Sequence, residues 1–166
     1  MQADRPILAC DVDGVISLFG FDEPLTQQPG LSYHLIDGVP HAISDRAGPE
    51  LVRLADVFEL IWATGWEQRA NDHLPLILGL PSELPCLTFD GRARFGSAHW
   101  KLEALGEYAG NRPLAWVDDS LDESCHAWAA KRGGPTRGSA SVSSLDSPEW
   151  RRERVDRRPS RDTGTG

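Results

Sequence analysis

Three short apolar runs in this chain each end in polar residues, and this repeated pattern limits the folds available to it. Residues 6–10 lead into an Asp-Val-Asp triplet, residues 58–63 stop at Thr64-Gly65, and residues 113–117 end at Asp118-Asp119. Nearly continuous apolar runs of this length are typical of parallel strands that are buried on both faces. The polar residues are therefore expected to mark the carboxyl ends of strands.

Segments with helical character lie between these runs. Leu51, Leu54 and Phe58 have helical spacing behind Pro49,. Further helices are predicted over residues 67–80, interrupted or ended near Pro75, and over residues 101–108 and 122–131. A weak strand is expected over residues 84–89, and loops with a small hairpin over residues 17–48.

Strands that alternate with helices predict an α/β fold: a doubly wound, Rossmann-like parallel sheet flanked by helices. Ligands of such sheets bind outside the carboxyl ends of the strands. The side chains expected to converge there are those of Asp11, Asp13, Thr64, Asp118 and Asp119.

Charge divides the chain into an acidic body and a basic tail. The net charge is −8, but residues 1–130 carry 20 acidic and 8 basic side chains, whereas residues 131–166 carry 5 and 9. We expect a core over residues 1–136. The Ser- and Arg-rich residues 137–166 are expected to be disordered, because they can bury little apolar surface. An acidic body argues against a chain-wide nucleic-acid footprint, while the Arg-rich tail leaves RNA binding open.

The composition also indicates the cellular compartment of the protein. Three scattered cysteines form no pair with metal-ligand spacing, which suits a reducing compartment,. No apolar run approaches the ~18 residues that a membrane helix needs, and the N-terminus lacks the pattern of a signal peptide. We expect a cytoplasmic protein without a membrane partner.

Carboxylates that converge on one point repel each other unless a cation lies among them. A set made only of oxygen ligands favours Mg²⁺ over zinc, and Mg²⁺ held in this way usually also binds phosphate oxygens. Thr64 and Gly65 add a hydroxyl and backbone N–H groups suited to an anion, and Lys101 adds a compact positive charge,. Together these groups predict a phosphoryl-transfer site.

These residues also resemble the motifs of the haloacid dehalogenase (HAD) superfamily. Asp11-Val12-Asp13-Gly14-Val15 resembles its DxDG(T/V) motif, and Trp62-Ala63-Thr64-Gly65 its second motif. Lys101 is placed like the third-motif lysine, and the acidic run from Trp116 to Asp122 is similar to the fourth motif. All four occur in order. The segments Val15-Ile16-Ser17 and Ala63-Thr64-Gly65-Trp66-Glu67 also look like those of a small capless bacterial group within the superfamily.

The resemblance implies a role for each residue. Asp11 would be the nucleophile that forms an aspartyl-phosphate. Asp13 would be the general acid and then the general base, and burial beside Asp11 would favour its protonated form. Thr64, Gly65 and Lys101 would hold the phosphoryl group.

The resemblance also implies the magnesium ligands. They would be Asp11, the Asp13 carbonyl and Asp118, with Asp119 or Asp122 as a further ligand or a residue that supports the ligands. The second aspartate of the motif, Asp13, favours phosphate chemistry over dehalogenation.

The same resemblance predicts a site without a cap domain. About thirty residues remain between the first two motifs once the helix and strand before Thr64 are counted, which is enough for a flap only. A capless site would admit large phosphorylated substrates, including macromolecules. Members of the superfamily usually place another strand at the sheet edge after the fourth motif, and residues 137–141 do not have the character of a strand.

Several residues have simpler interpretations. Thr64 is compatible with a cap that ends a strand, Lys101 with an ordinary exposed lysine, and Trp66 and Trp100 with packing rather than substrate stacking. For the whole chain, the alternative to a phosphohydrolase is a catalytically poor HAD-like binding module in a nucleic-acid or protein complex.

Overall fold

The computed structural model describes residues 5–19, 29–90 and 96–132. Its elements, in chain order, are β1 (Ile7–Cys10), β2 (Ser17–Leu18), β3 (Leu31–Ile36), β4 (Val39–Ser44), α1 (Ala47–Leu54), β5 (Glu59–Trp62), α2 (Arg69–Leu78), a 3-10 helix (Ala98–Lys101), α3 (Leu102–Ala109), β6 (Leu114–Val117) and α4 (Glu123–Lys131).

The three predicted apolar runs form one parallel sheet in the order β5-β1-β6. Ile7 lies opposite Glu59 on one side and Leu114 on the other, so the three strands begin and end together. All four residues of the central strand β1 are buried. The prediction of an α/β protein with a parallel sheet is confirmed, and the arrangement is compatible with a Rossmann-like fold.

Helices cover both faces of this sheet. Successive side chains of a strand point to opposite sides, so each face has its own buried cluster,. On one face, Leu8 and Cys10 of β1 belong to a buried cluster with Leu51 of α1 and Leu74 of α2. On the other face lies a second cluster, built from alternate strand residues and from helices α3 and α4: Ile7, Ala9, Ile61, Leu105, Leu114 and Cys125. The core therefore fixes the strand ends from both sides.

A second sheet, antiparallel and ordered β2-β4-β3, occupies the region expected to hold loops and a small hairpin. The hairpin is present but larger than expected, with six-residue strands on both sides of Asp37-Gly38. Asp37 and Gly38 have φ of 50° and 81°. Positive φ at both central residues is the requirement of a type I′ hairpin turn, whose twist matches that of the strands.

Two local predictions concern proline. The helix expected within residues 67–80 is present as Arg69–Leu78, but the interruption or end expected near Pro75 is wrong, because the helix continues to Leu78 and stops at Gly79. Leu74 and Leu78, on either side of the proline, are both buried. The strand expected over residues 84–89 is a single bridge between Cys86 and Trp62. Pro85 has no N–H with which to extend a ladder there.

The predicted tail, residues 137–166, lies outside the described residues, as does the predicted end of the core at residue 136. Over the part that is described, β6 has one strand partner, β1. No helix in the described ranges is long and apolar enough to cross a membrane.

Candidate functional site

The carboxyl ends of the parallel strands carry most of the predicted site residues. Asp11 follows β1 and Asp118 follows β6, and the two strands are hydrogen-bonded neighbours. Asp11, Asp118 and Asp119 each offer an oxygen, and these oxygens lie within 4.8 Å of one another. They border a cleft of about 500 Å³ that is also lined by Asp13, Gly65 and Lys101.

Lys101 connects two of these carboxylates. Its side chain is only 3% exposed, and Nζ lies 2.5 Å from Asp118 Oδ2 and 3.0 Å from Asp11 Oδ2. The residue stands at the end of the 3-10 helix, just before α3. The alternative of an ordinary exposed lysine is therefore wrong, and the ammonium offsets part of the negative charge of the cluster.

Asp11 is held in a defined orientation by groups on both of its oxygens. Oδ1 accepts the Val12 N–H at 2.8 Å, and Oδ2 faces Lys101. Burial raises the pKa of Asp11 from 3.8 to about 6, and the nearby Asp118 carboxylate raises it as well, whereas Lys101 opposes this shift. The site therefore places a buried carboxylate directly beside a cation.

Asp118 and Asp119 adopt different environments although they are adjacent. Asp118 is buried, and its Oδ1 accepts the Ser120 N–H at 2.9 Å, while Asp119 is exposed and accepts the Ser120 hydroxyl at 3.0 Å. Asp119 reaches the loop after β1, where Gly14 has φ +75° and no side chain. A Cβ on Gly14 would lie 2.1 Å from Asp119 Oδ2, so the glycine provides the space for this carboxylate.

Asp122 does not belong to the three-carboxylate cluster. It caps α4 by accepting the Cys125 N–H at 3.1 Å, and it also accepts the hydroxyls of Ser124 and Ser97. Hydrogen bonds from Ser124, Ser97 and Cys125 hold the pKa of Asp122 well below its usual range. Because Ser97 caps the 3-10 helix that carries Lys101, Asp122 connects that helix to α4.

Asp13 lines the same cleft but is not one of the three clustered carboxylates. Its side chain is exposed, so the expectation of burial beside Asp11 is wrong. One carboxylate oxygen, Oδ2, accepts the indole N–H of Trp66 at 2.9 Å. This contact joins the loop after β1 to the loop after β5 and was not anticipated from the sequence, in which the two residues are 53 positions apart.

Thr64 and Gly65 both follow β5 but face different surroundings. Thr64 is buried and its Oγ1 accepts the Trp66 N–H at 3.3 Å, which matches the interpretation as a residue that ends the strand. A hydroxyl that accepts this bond still has its own hydrogen to donate. Gly65 is exposed and lines the cleft directly. After them, Glu67 adopts φ of 50° and its side chain accepts the Phe89 N–H at 2.8 Å.

Aromatic side chains form part of the cleft wall. Trp66, Trp100 and Phe19 all line it, and Phe19 is 65% exposed. Trp100 also packs edge-on against Phe89, with ring centroids 4.6 Å apart. The two tryptophans are half-buried and thus combine packing with exposure to the cleft, whereas no pattern in the sequence indicated Phe19.

Comparison of the chain with protein-family models, with curated proteins and with solved structures finds no match. The interpretation of the site therefore depends on its residues and their geometry.

Proposed function

We propose that this protein is a Mg²⁺-dependent phosphohydrolase of the HAD type, with a capless doubly wound core, that cleaves phosphate monoesters through an aspartyl-phosphate. The observation that carries the proposal is the buried Lys101 ammonium, held between Asp11 and Asp118 at the edge of an open cleft. A phosphoryl group needs a carboxylate nucleophile and compensating positive charge at one point, and these three residues supply both.

The donor set fits Mg²⁺. Asp11, Asp118 and Asp119 would hold the ion together with the Asp13 carbonyl, and all of these ligands are oxygens, as Mg²⁺ prefers,. One lysine compensates a single charge of the three, which leaves excess negative charge for a divalent cation. Bound Mg²⁺ would neutralise charge on the phosphoryl oxygens and help to orient the substrate.

The steps assigned to the protein use residues that line the cleft, together with the buried Thr64, which precedes Gly65. A carboxylate oxygen of Asp11 attacks phosphorus while the bond to the leaving oxygen breaks, and Asp13 gives that oxygen a proton. Asp13 then takes a proton from water, whose oxygen attacks phosphorus. The bond from phosphorus to the Asp11 oxygen breaks, which releases the Asp11 carboxylate and inorganic phosphate. Lys101, Gly65 and the Thr64 hydroxyl stabilise the negative charge of the phosphoryl group.

The exposure of the site bears on the size of the substrate. Asp13, Gly65 and Asp119 are all exposed, and each lines the cleft. We infer that the reacting phosphate is reached from solvent and that a bulky phosphorylated substrate, including a macromolecule, fits the site.

Hydrolysis of 4-nitrophenyl phosphate with Mg²⁺ and with excess EDTA tests the proposal. We expect Mg²⁺-dependent turnover that is lost in Asp11→Asn and retained in Asp72→Asn, which makes the same chemical change at an exposed position of α2. Full activity in EDTA would show that hydrolysis does not require a metal ion. Mg²⁺ binding by calorimetry without turnover of nucleotide, sugar or peptide phosphates would favour the binding-module alternative.

A further inference from the structure

The exposed position of Asp13 leaves open what orients its carboxylate. An exposed aspartate can rotate about its side-chain bonds, whereas proton transfer requires an oxygen within hydrogen-bond distance of the leaving group. The contact that defines its orientation is the bond from Trp66 Nε1 to Oδ2, at 2.9 Å. The direction of the indole N–H therefore decides where Asp13 points.

Trp66 is itself fixed from two sides. The edge of His41, on β4, lies against its ring with centroids 5.0 Å apart, and the Arg69 guanidinium of α2 lies 5.1 Å from the ring centroid. His41 Nδ1 is 2.8 Å from the Ser17 hydroxyl, and Arg69 pairs with Asp37 at 3.0 Å. The antiparallel sheet and α2 thus hold the ring between them.

We propose that Trp66 is the positioning residue for Asp13 in the phosphoryl transfer described above, an inference that rests on that proposed function. An indole N–H is a donor only and cannot accept a proton. Because Oδ2 receives this donor, the transferable proton of Asp13 belongs on Oδ1. It passes from Oδ1 to the leaving oxygen, which keeps the electron pair of the broken P–O bond, and Oδ1 later takes a proton from water.

This role predicts a dependence on the leaving group. A poor leaving group, such as an alkoxide, needs its proton as the P–O bond breaks, whereas 4-nitrophenolate is stable without it. Trp66→Phe keeps an aromatic ring and removes the N–H. We expect kcat/KM to fall about tenfold or more for an alkyl phosphate, within the range of general acid catalysis. With 4-nitrophenyl phosphate, the fall in kcat/KM should be several-fold smaller than with the alkyl phosphate.

The matched control is Trp128→Phe, the same substitution on α4, where the ring packs beside Arg132 rather than at the cleft. It should leave both esters unaffected. In an Asp13→Asn background, adding Trp66→Phe should have no further effect on the alkyl ester. Equal losses on both esters, or no loss on either, would overturn the role of Trp66 while the phosphohydrolase proposal stands. If the wild-type protein hydrolyses neither ester, both proposals fail.

A second measurement does not depend on activity or on folding of the Trp66 variant. Indole N–H signals of ¹⁵N-labelled protein are compared between the wild type and Asp13→Ala, and the Trp66 signal is assigned by through-space contacts to His41. We expect that signal to move and its hydrogen exchange to accelerate, because its acceptor has been removed. An unchanged Trp66 signal would overturn the inference.

Discussion

At the scale of single residues, the candidate site depends on the balance between its carboxylates and one ammonium. Asp11 and Asp118 share Lys101, and Asp119 reaches the same point from the exposed side. Buried charges of like sign destabilise the fold unless they are paired. The free energy of unfolding should therefore depend on the protonation of these groups, and so on pH.

The raised pKa of Asp11 predicts such a dependence. Its pKa is about 6 in the folded protein and 3.8 ordinarily, so the folded state binds the proton more tightly. This contribution to stability is fully present below about pH 4 and is lost as the pH rises to about 6. In EDTA, the unfolding free energy of the wild type relative to Asp11→Asn should fall by roughly 1.4 kcal/mol for each pH unit across this interval. Urea unfolding at several pH values measures it, and a flat difference would contradict the assignment.

Gly14 makes a second residue-scale prediction. In Gly14→Ala the new Cβ would overlap Asp119, at 2.1 Å from Oδ2, so the carboxylate must leave the cluster. We expect Mg²⁺ affinity, measured by calorimetry, to fall at least about tenfold, because losing a ligand costs no less than losing a group that supports one.

The control for backbone strain is Gly38→Ala. Gly38 also has positive φ, of +81°, but open space where the Cβ would be. Gly38→Ala should lower the free energy of unfolding about as much as Gly14→Ala does, but it should leave the affinity for Mg²⁺ unchanged. Equal effects of the two substitutions on binding would show that Asp119 is not a ligand.

The sequence predicted the positions of Asp11, Thr64 and Asp118 because strand ends are visible as the limits of apolar runs. It could not predict how each side chain is used. Asp122 stands in the same acidic run as Asp118 yet caps a helix, and Asp13 is exposed rather than buried. Hydrogen bonds between loops, such as that of Trp66 with Asp13, depend on how distant segments pack and leave no local pattern.

At the scale of elements, short apolar strands and amphipathic helices were recognised, while local breaks were misjudged. Asp-Gly between two apolar segments is a strong sequence signal for a tight hairpin turn. Asp37 and Gly38 both have the positive φ that this turn requires, so the turn was predictable from the sequence. At Pro75 a break in the helix was expected and none is present, because burial of Leu74 and Leu78 outweighs the missing N–H of the proline. Tertiary packing decides such cases, and local propensity does not.

The packing of α1 on α2 predicts the effect of Gly48→Ala. A Cβ at Gly48 would lie 2.2 Å from the Leu78 carbonyl oxygen, a backbone atom that cannot move without displacing α2. We expect a loss of about 1–3 kcal/mol in unfolding free energy, as for an overpacked core. Chemical denaturation measures the loss.

Gly106→Ala in α3 is the matched control. Its Cβ would meet Trp128 at 3.5 Å, an ordinary contact. This substitution should stabilise the protein by roughly 0.5–1 kcal/mol, because alanine favours a helix over glycine. If both variants are stabilised, the two helices are not in close contact at Gly48.

At the scale of the whole molecule, the candidate site lies at the end of a strand, β6, that has only one strand partner among the described residues. The central strand β1 has a partner on each side, whereas β6 pairs only with β1 among the described residues. Asp118 and Asp119 directly follow β6, so any opening of this strand displaces two of the carboxylates that we propose as Mg²⁺ ligands. Strand stability and ion binding should therefore depend on each other.

Hydrogen exchange tests this coupling. Without metal, the amides of Leu114–Val117 should exchange faster than those of Ile7–Cys10, because an edge strand opens without breaking the rest of the sheet,. The proposed Mg²⁺ site exists only while β6 is closed, so adding Mg²⁺ should slow exchange in β6 more than in β1. NaCl at matched ionic strength is the control and should leave the difference in place. Equal protection of both strands in EDTA would contradict the prediction.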